Sequence, residues 1–91
     1  LNKTPEAPKI EFPCESYVIK VVGDNHPELK PFVTDVLSQY DERVHIDCYK
    51  ENPSKNGRFV SLTVRMRIEK LDDLRQLHEE LKVSASVKMV L

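Results

Sequence analysis

The stretch "NPSKNGRFVSLTVRMRI", residues 52–68, joins a cluster of turn-forming residues to the cleanest alternation in the chain. Val60, Leu62, Val64, Met66 and Ile68 fall on one face of an extended segment, and Phe59, Ser61, Thr63, Arg65 and Arg67 on the other. A period of two with β-branched residues is the signature of a strand with one buried face. The Asn56-Gly57 pair before it suits a tight hairpin, so a second strand is expected on its N-terminal side. "RVHIDCYKE", residues 43–51, supplies it: Val44, Ile46 and Cys48 alternate with His45, Asp47 and Tyr49, which predicts the first three inward and the last three outward.

Outward from this hairpin the chain repeats one plan on both sides. "SYVIKVVG", residues 16–23, reads as a strand with Tyr17, Ile19 and Val21 inward and Val18, Lys20 and Val22 outward. "PELKPFVTDVLSQY", residues 27–40, spaces Leu29, Phe32, Val33, Val36, Leu37 and Tyr40 by threes and fours, the stripe of an amphipathic helix. Pro27 suits a first helical position; Pro31, four residues on, predicts a distorted first turn with the regular helix starting near it. After the hairpin, "KLDDLRQLHEELK" lines Leu71, Leu74, Leu77 and Leu81 along a second helix. "ASVKMVL" closes the chain as a strand with Val87, Met89 and Leu91 inward and Ser86, Lys88 and Val90 outward.

Strand, helix, strand, strand, helix, strand, with right-handed crossovers, interleaves into an α+β, ferredoxin-like βαββαβ sandwich. Its four-stranded antiparallel sheet has the order 4-1-3-2, both helices cover one face, and the other face is open. Residues 1–15, "LNKTPEAPKIEFPCE", hold three of the six prolines and read as an irregular N-terminal arm from which Ile10 and Phe12 dock on the domain of residues 16–91.

Composition narrows the function. With 91 residues, 14 basic against 15 acidic and no apolar run near the ~20 residues needed to span a bilayer, the chain reads as one domain with no membrane segment. No whole-molecule field draws it to nucleic acid. Two cysteines, Cys14 and Cys48, make no disulfide framework, and no secretory-signal pattern precedes them, so a reducing, cytoplasmic setting is expected. The start at Leu1 rather than Met fits a numbering that begins inside a longer reading frame or on a processed chain. His26, His45, His78 and the cysteines lack metal-ligand spacing, and no thiol or carboxylate is paired with an orienting base, so neither metal, cofactor nor catalytic residue is assigned.

Three surfaces remain as candidates. The open sheet face, with Val18, Lys20, Val22, Tyr49, Phe59, Arg65 and Arg67, suits self-association or another protein partner. Basic groups and aromatics on a sheet also invite an RNA-binding reading, disfavoured because only Phe59 of the third strand is an outward aromatic. The turn "GDNHP" between the first strand and first helix places Asp24, Asn25 and His26 at a helix N-terminus, where free N–H groups favour small anionic ligands.

The residues "EFP" (11–13), "PEL" (27–29), "PSKNGRFVSLTV" (53–64), "LHEEL" (77–81) and "VKMVL" (87–91) resemble the YbeD-like family of small bacterial proteins. The resemblance covers the chain from about Glu11 onward. It implies a ferredoxin-like fold related to regulatory ACT domains, and with no paired acid and base the chain reads as a non-enzymatic, ACT-like regulatory or protein-interaction domain. ACT domains bind amino acids where the loop after strand one meets the first helix. Asp24, Pro27 and Leu29 match that loop, but Glu28 stands where its glycine would be, bringing bulk and negative charge to the place where a ligand carboxylate approaches.

Overall fold

A computed structural model describes residues 11–91; the Ile10 contact and the rest of the arm before it lie outside the described residues. The elements run β1 (Cys14–Asp24), α1 (Leu29–Leu37), β2 (Lys50–Pro53), β3 (Phe59–Ile68), α2 (Leu71–Lys82) and β4 (Val87–Val90). One antiparallel sheet carries them in the order β2-β3-β1-β4, the 4-1-3-2 order read from the sequence. Cys14 and Glu15, expected in the arm, open β1. Phe12 packs against the core as expected.

The core lies between the sheet and the two helices. Ile19 and Val21 of β1, Leu62, Val64, Met66 and Ile68 of β3, Val33 and Leu37 of α1, and Leu77 and Leu81 of α2 are all at most 4% exposed. The predicted helical stripes supply these residues, except that Leu71, at the start of α2, is largely exposed. α1 begins at Leu29, not near Pro31. Pro31 is third in the helix, where an N–H has no acceptor within the helix in any case, so the proline costs no hydrogen bond. α2 carries Asp72 and Asp73 in its first turn and Lys82 in its last, each favourable to the dipole at that end.

Gly23 shows why the corner after β1 tolerates no side chain. A Cβ there would stand 2.6 Å from the Ser86 carbonyl oxygen and 2.8 Å from Leu29 Cδ1. The glycine lets β4 and α1 close on β1 together. Gly57 has a different reason: its φ of +72° closes the β2–β3 turn in a left-handed conformation with open space around it.

Two strands depart from the sequence reading, each through the parity of the sheet. In the β2–β3 ladder, Lys50 faces Thr63, Glu51 faces Leu62 and Asn52 faces Ser61. Leu62 is inward, so Glu51 and Tyr49 are inward as well. Continued in that register, Cys48 would turn outward and Asp47 would enter the core opposite Met66. The alternation of Val44, Ile46 and Cys48 is thus one residue out of phase with the register set by the hairpin. The chain resolves the conflict by leaving the sheet: residues 43–49 form turns, Val44 alone stays buried, Ile46 is 39% exposed, and β2 keeps four residues.

At the other edge, β4 pairs Val90 with Val21, Met89 with Val22, and Val87 with Gly23, with a bulge between Val22 and Gly23. The extra residue on β4 reverses the predicted faces beyond it. Val87 and Val90 pack on the core, while Met89 turns outward, 51% exposed. Leu91 exchanges two main-chain hydrogen bonds with Lys20 and stands 59% exposed.

Candidate functional site: the open sheet face and its edges

Cross-strand partners map the open face row by row. Asn52, Ser61, Val22 and Met89 form one row; Lys50, Thr63, Lys20 and Leu91 form the next; Arg65 and Val18 form a third. Val18 (45% exposed), Met89 and Leu91 therefore make an apolar patch on the β1–β4 side, with the half-buried Val22 between them. Phe59 lies at the far end of β3, under the Arg58 guanidinium at 5.4 Å.

Charge on this face is unevenly matched. Arg67 is held by Glu15 at 2.7 Å and by Glu69, contacts that push its guanidinium pKa further up. Lys20, Lys50 and Arg65 form no ion pair among the described residues. All three project from the same face, beside the apolar patch.

Of the seven residues expected there, six are on this face and Tyr49 is not. The register turns Tyr49 toward α1, where its Oη lies 2.8 Å from Thr34 Oγ1. Burial is the main cause that pushes its pKa up to about 12. Sequence reading missed Met89 and Leu91 because it assumed an unbroken alternation in β4. Their signal was a bulge, which leaves no mark in a four-residue strand.

The predicted ligand loop is occupied by its own structure. Asn25 donates from its main chain to Arg58 O at 3.0 Å and from Nδ2 to Gly57 O at 2.9 Å, tying the corner to the hairpin tip. His26 Nδ1 accepts the Glu28 N–H at 3.1 Å, and Asp24 Oδ2 lies 3.9 Å from Lys88 Nζ. The adjacent cavity, about 310 Å³, is bounded by His26, Pro27 and Leu29 and closed on one side by the Lys30–Glu51 pair at 2.6 Å. Glu28 is the N-cap of α1 and makes no side-chain cap bond.

A larger cavity, about 660 Å³, opens where residues 43–49 leave the sheet. At its end Asp41, 8% exposed, accepts hydrogen bonds from Arg43 Nε and Nη2 and from the main-chain N–H groups of Arg43 and Arg67. The Arg43 guanidinium, followed by the main-chain donors, holds its carboxyl well below the usual carboxylate range despite burial. Both cysteines are free, and among the described residues no cluster of His, Cys, Asp and Glu has a metal-ligand arrangement. Among those residues no helix is long and apolar enough to cross a membrane.

Comparison with known proteins agrees with this architecture. A solution structure of an H. pylori protein superposes at a TM-score of 0.68 with 20% identity, covering 100% of this chain and 98% of that one. The ACT domain of GTP pyrophosphokinase from Chlorobium tepidum superposes at 0.58 with 16% identity, over 84% of this chain and 96% of that one. At these identities the likeness establishes the ferredoxin-like, ACT-like fold. By sequence, a UPF0250 protein of Pseudomonas aeruginosa strain UCBPP-PA14 is 33% identical over the full length of both chains, and one of Azotobacter vinelandii is 36% identical over 94% of each. The profile described as "Protein of unknown function (DUF493)" matches residues 7–91, and the chain belongs to that family.

Proposed function

We propose that this chain is a non-enzymatic, ACT-like regulatory domain that acts by docking another protein on its open sheet face. The observation that carries the reading is the outward turn of Met89 and Leu91 beside Val18, next to Lys20, Lys50 and Arg65. Clustered exposed apolar side chains favour burial against a partner, and unmatched cations select one that is acidic as well as apolar. Self-association through the same face is less favourable, because a two-fold contact would bring like-charged patches together. The small-ligand reading of Asp24, Asn25 and His26 is weakened by the structural bonds that Asn25 and His26 already make. The RNA reading is weakened further by Tyr49, which faces the helices and leaves Phe59 as the one aromatic on the face among the described residues.

The test is gel filtration of extracts from the native cells at low ionic strength. The chain is expected in a heteromeric complex of defined stoichiometry that salt weakens and that the Lys20→Glu/Arg65→Glu double variant loses, while the purified chain scatters light as a monomer. A complex indifferent to that double variant, or a purified dimer dissociated by Leu91→Asp, contradicts the reading.

A further inference from the structure

The ladder of β3 has a missing rung. Main-chain groups of alternate residues on an antiparallel strand point to the same neighbour. Ser54 N–H donates to Phe59 O at 2.8 Å and Asp41 accepts Arg67 N–H at 2.9 Å, so Phe59, Ser61, Thr63, Arg65 and Arg67 all direct their main-chain groups toward the β2 side. Asn52 stands opposite Ser61 and Lys50 opposite Thr63; β2 then ends. Arg65 lies between the last rung of β2 and the Asp41 cap, and no partner among the described residues faces its N–H and C=O.

Those two groups open onto the 660 Å³ cavity, within the size range of small-molecule sites. Its walls are Val18, Val44, Cys48 and Val64, and its rim carries Lys50 and Arg65, neither ion-paired among the described residues. The two acids in the lining, Asp41 and Glu15, are already paired with Arg43 and Arg67. The site thus offers one main-chain donor, one main-chain acceptor, an apolar wall and two cations.

We infer that this gap is a binding site for a small carboxylate that carries a secondary amide and an apolar group, the chemistry of an N-acylated apolar amino acid. The amide N–H donates to the Arg65 carbonyl and one carboxylate oxygen accepts the Arg65 N–H, the two groups that flank the ligand's Cα and so complete the rung. The carboxylate lies toward Lys50, the apolar side chain stands beside Arg65 on the open face, and the acyl group runs toward Val44. Room for a single rung between Lys50 and Asp41 separates such a ligand from a long peptide strand, which would collide with the Asp41–Arg43 pair. The inference stands apart from the docking reading, since it concerns the isolated chain and a small molecule.

The test is an amide-detected NMR titration of the purified chain with N-acetyl-L-leucine, beside acetate and N-methylacetamide. Saturable shifts centred on the Arg65 and Thr63 amides are expected, with acetate and N-methylacetamide each at least tenfold weaker. The Lys50→Glu/Arg65→Glu variant, altered only at exposed positions, should weaken binding at least fivefold while its other amide signals stay in place. The inference is overturned if acetate matches N-acetyl-L-leucine, if shifts are unsaturable or centre on Asp24 to His26, or if an acidic pentapeptide binds tenfold tighter than N-acetyl-L-leucine.

Discussion

Asp41 Oδ2 accepts the main-chain N–H of Arg67 at 2.9 Å, so a side chain from the loop after α1 stands where a strand would have continued the sheet. The same carboxylate binds Arg43 through both its oxygens. One buried acid thereby fixes the α1–β2 loop, ends the ladder of β3 and bounds the cavity beside Arg65.

Replacing it should cost more at neutral pH than in acid. Asp41→Ala is expected to lower unfolding free energy by about 2 kcal/mol at pH 7, since charge-assisted hydrogen bonds are lost and Arg67 N–H is left without its acceptor. The carboxyl titrates below its ordinary value in the folded state. Its stabilisation is therefore fully present above that ordinary value, about 3.9, and is lost as pH falls below it. Urea unfolding at pH 7 and at pH 2.5 checks this: the gap between native and variant should narrow at the lower pH.

The two glycines should respond differently to alanine. Gly23→Ala forces a Cβ against the Ser86 carbonyl, which is main chain and cannot swing away, so a loss of about 2 to 3 kcal/mol is expected. Gly57→Ala meets nothing in space, and its cost is the left-handed φ, about 1 kcal/mol. Thermal melts of the two variants should separate in that order.

His78 has a buried Nε2 without a partner among the described residues, and burial, then Lys82, lowers its pKa. A base with a lowered folded pKa stabilises the fold above its unfolded value, about 6.5, and loses that contribution as pH falls through it. His78→Leu removes both the orphan atom and the titration. The variant should match or exceed the native chain by about 0.5 to 1 kcal/mol at pH 5, with a smaller difference at pH 8.

The register conflict in β2 can be probed directly. If Asp47 is what keeps residues 46–49 out of the sheet, Asp47→Val lets the hairpin register run on, with residue 47 inward opposite Met66. Slower amide exchange at Arg65 is then expected, because Cys48 would supply its missing partner. Unchanged exchange at Arg65 would show that the Asp41 cap alone ends the strand.

Topology was legible because β1, β3 and both helices carry uninterrupted periodic patterns, as in the run from Val60 to Ile68. The failures share one cause. Val44, Ile46 and Cys48 form a good local alternation, yet register comes from the turn at residues 54–59, and the two disagree by one residue. In β4 a single bulged residue moved Met89 and Leu91 from the core face to the open one. Composition cannot report parity, so the open face was recognised while its strongest apolar residues were missed. The loop of Asp24, Asn25 and His26 was correctly placed at the corner, but sequence could not show that Asn25 is tied to the hairpin tip.

Docking on the open face is tested most directly by photo-crosslinking in the native cells, with the reactive group placed at position 18 on that face or at position 72 on the exposed side of α2. A discrete adduct to one different protein is expected from position 18, abolished by Lys20→Glu/Arg65→Glu, and none from position 72. Adducts from position 72 alone, or an adduct from position 18 only to a second copy of this chain, would contradict it.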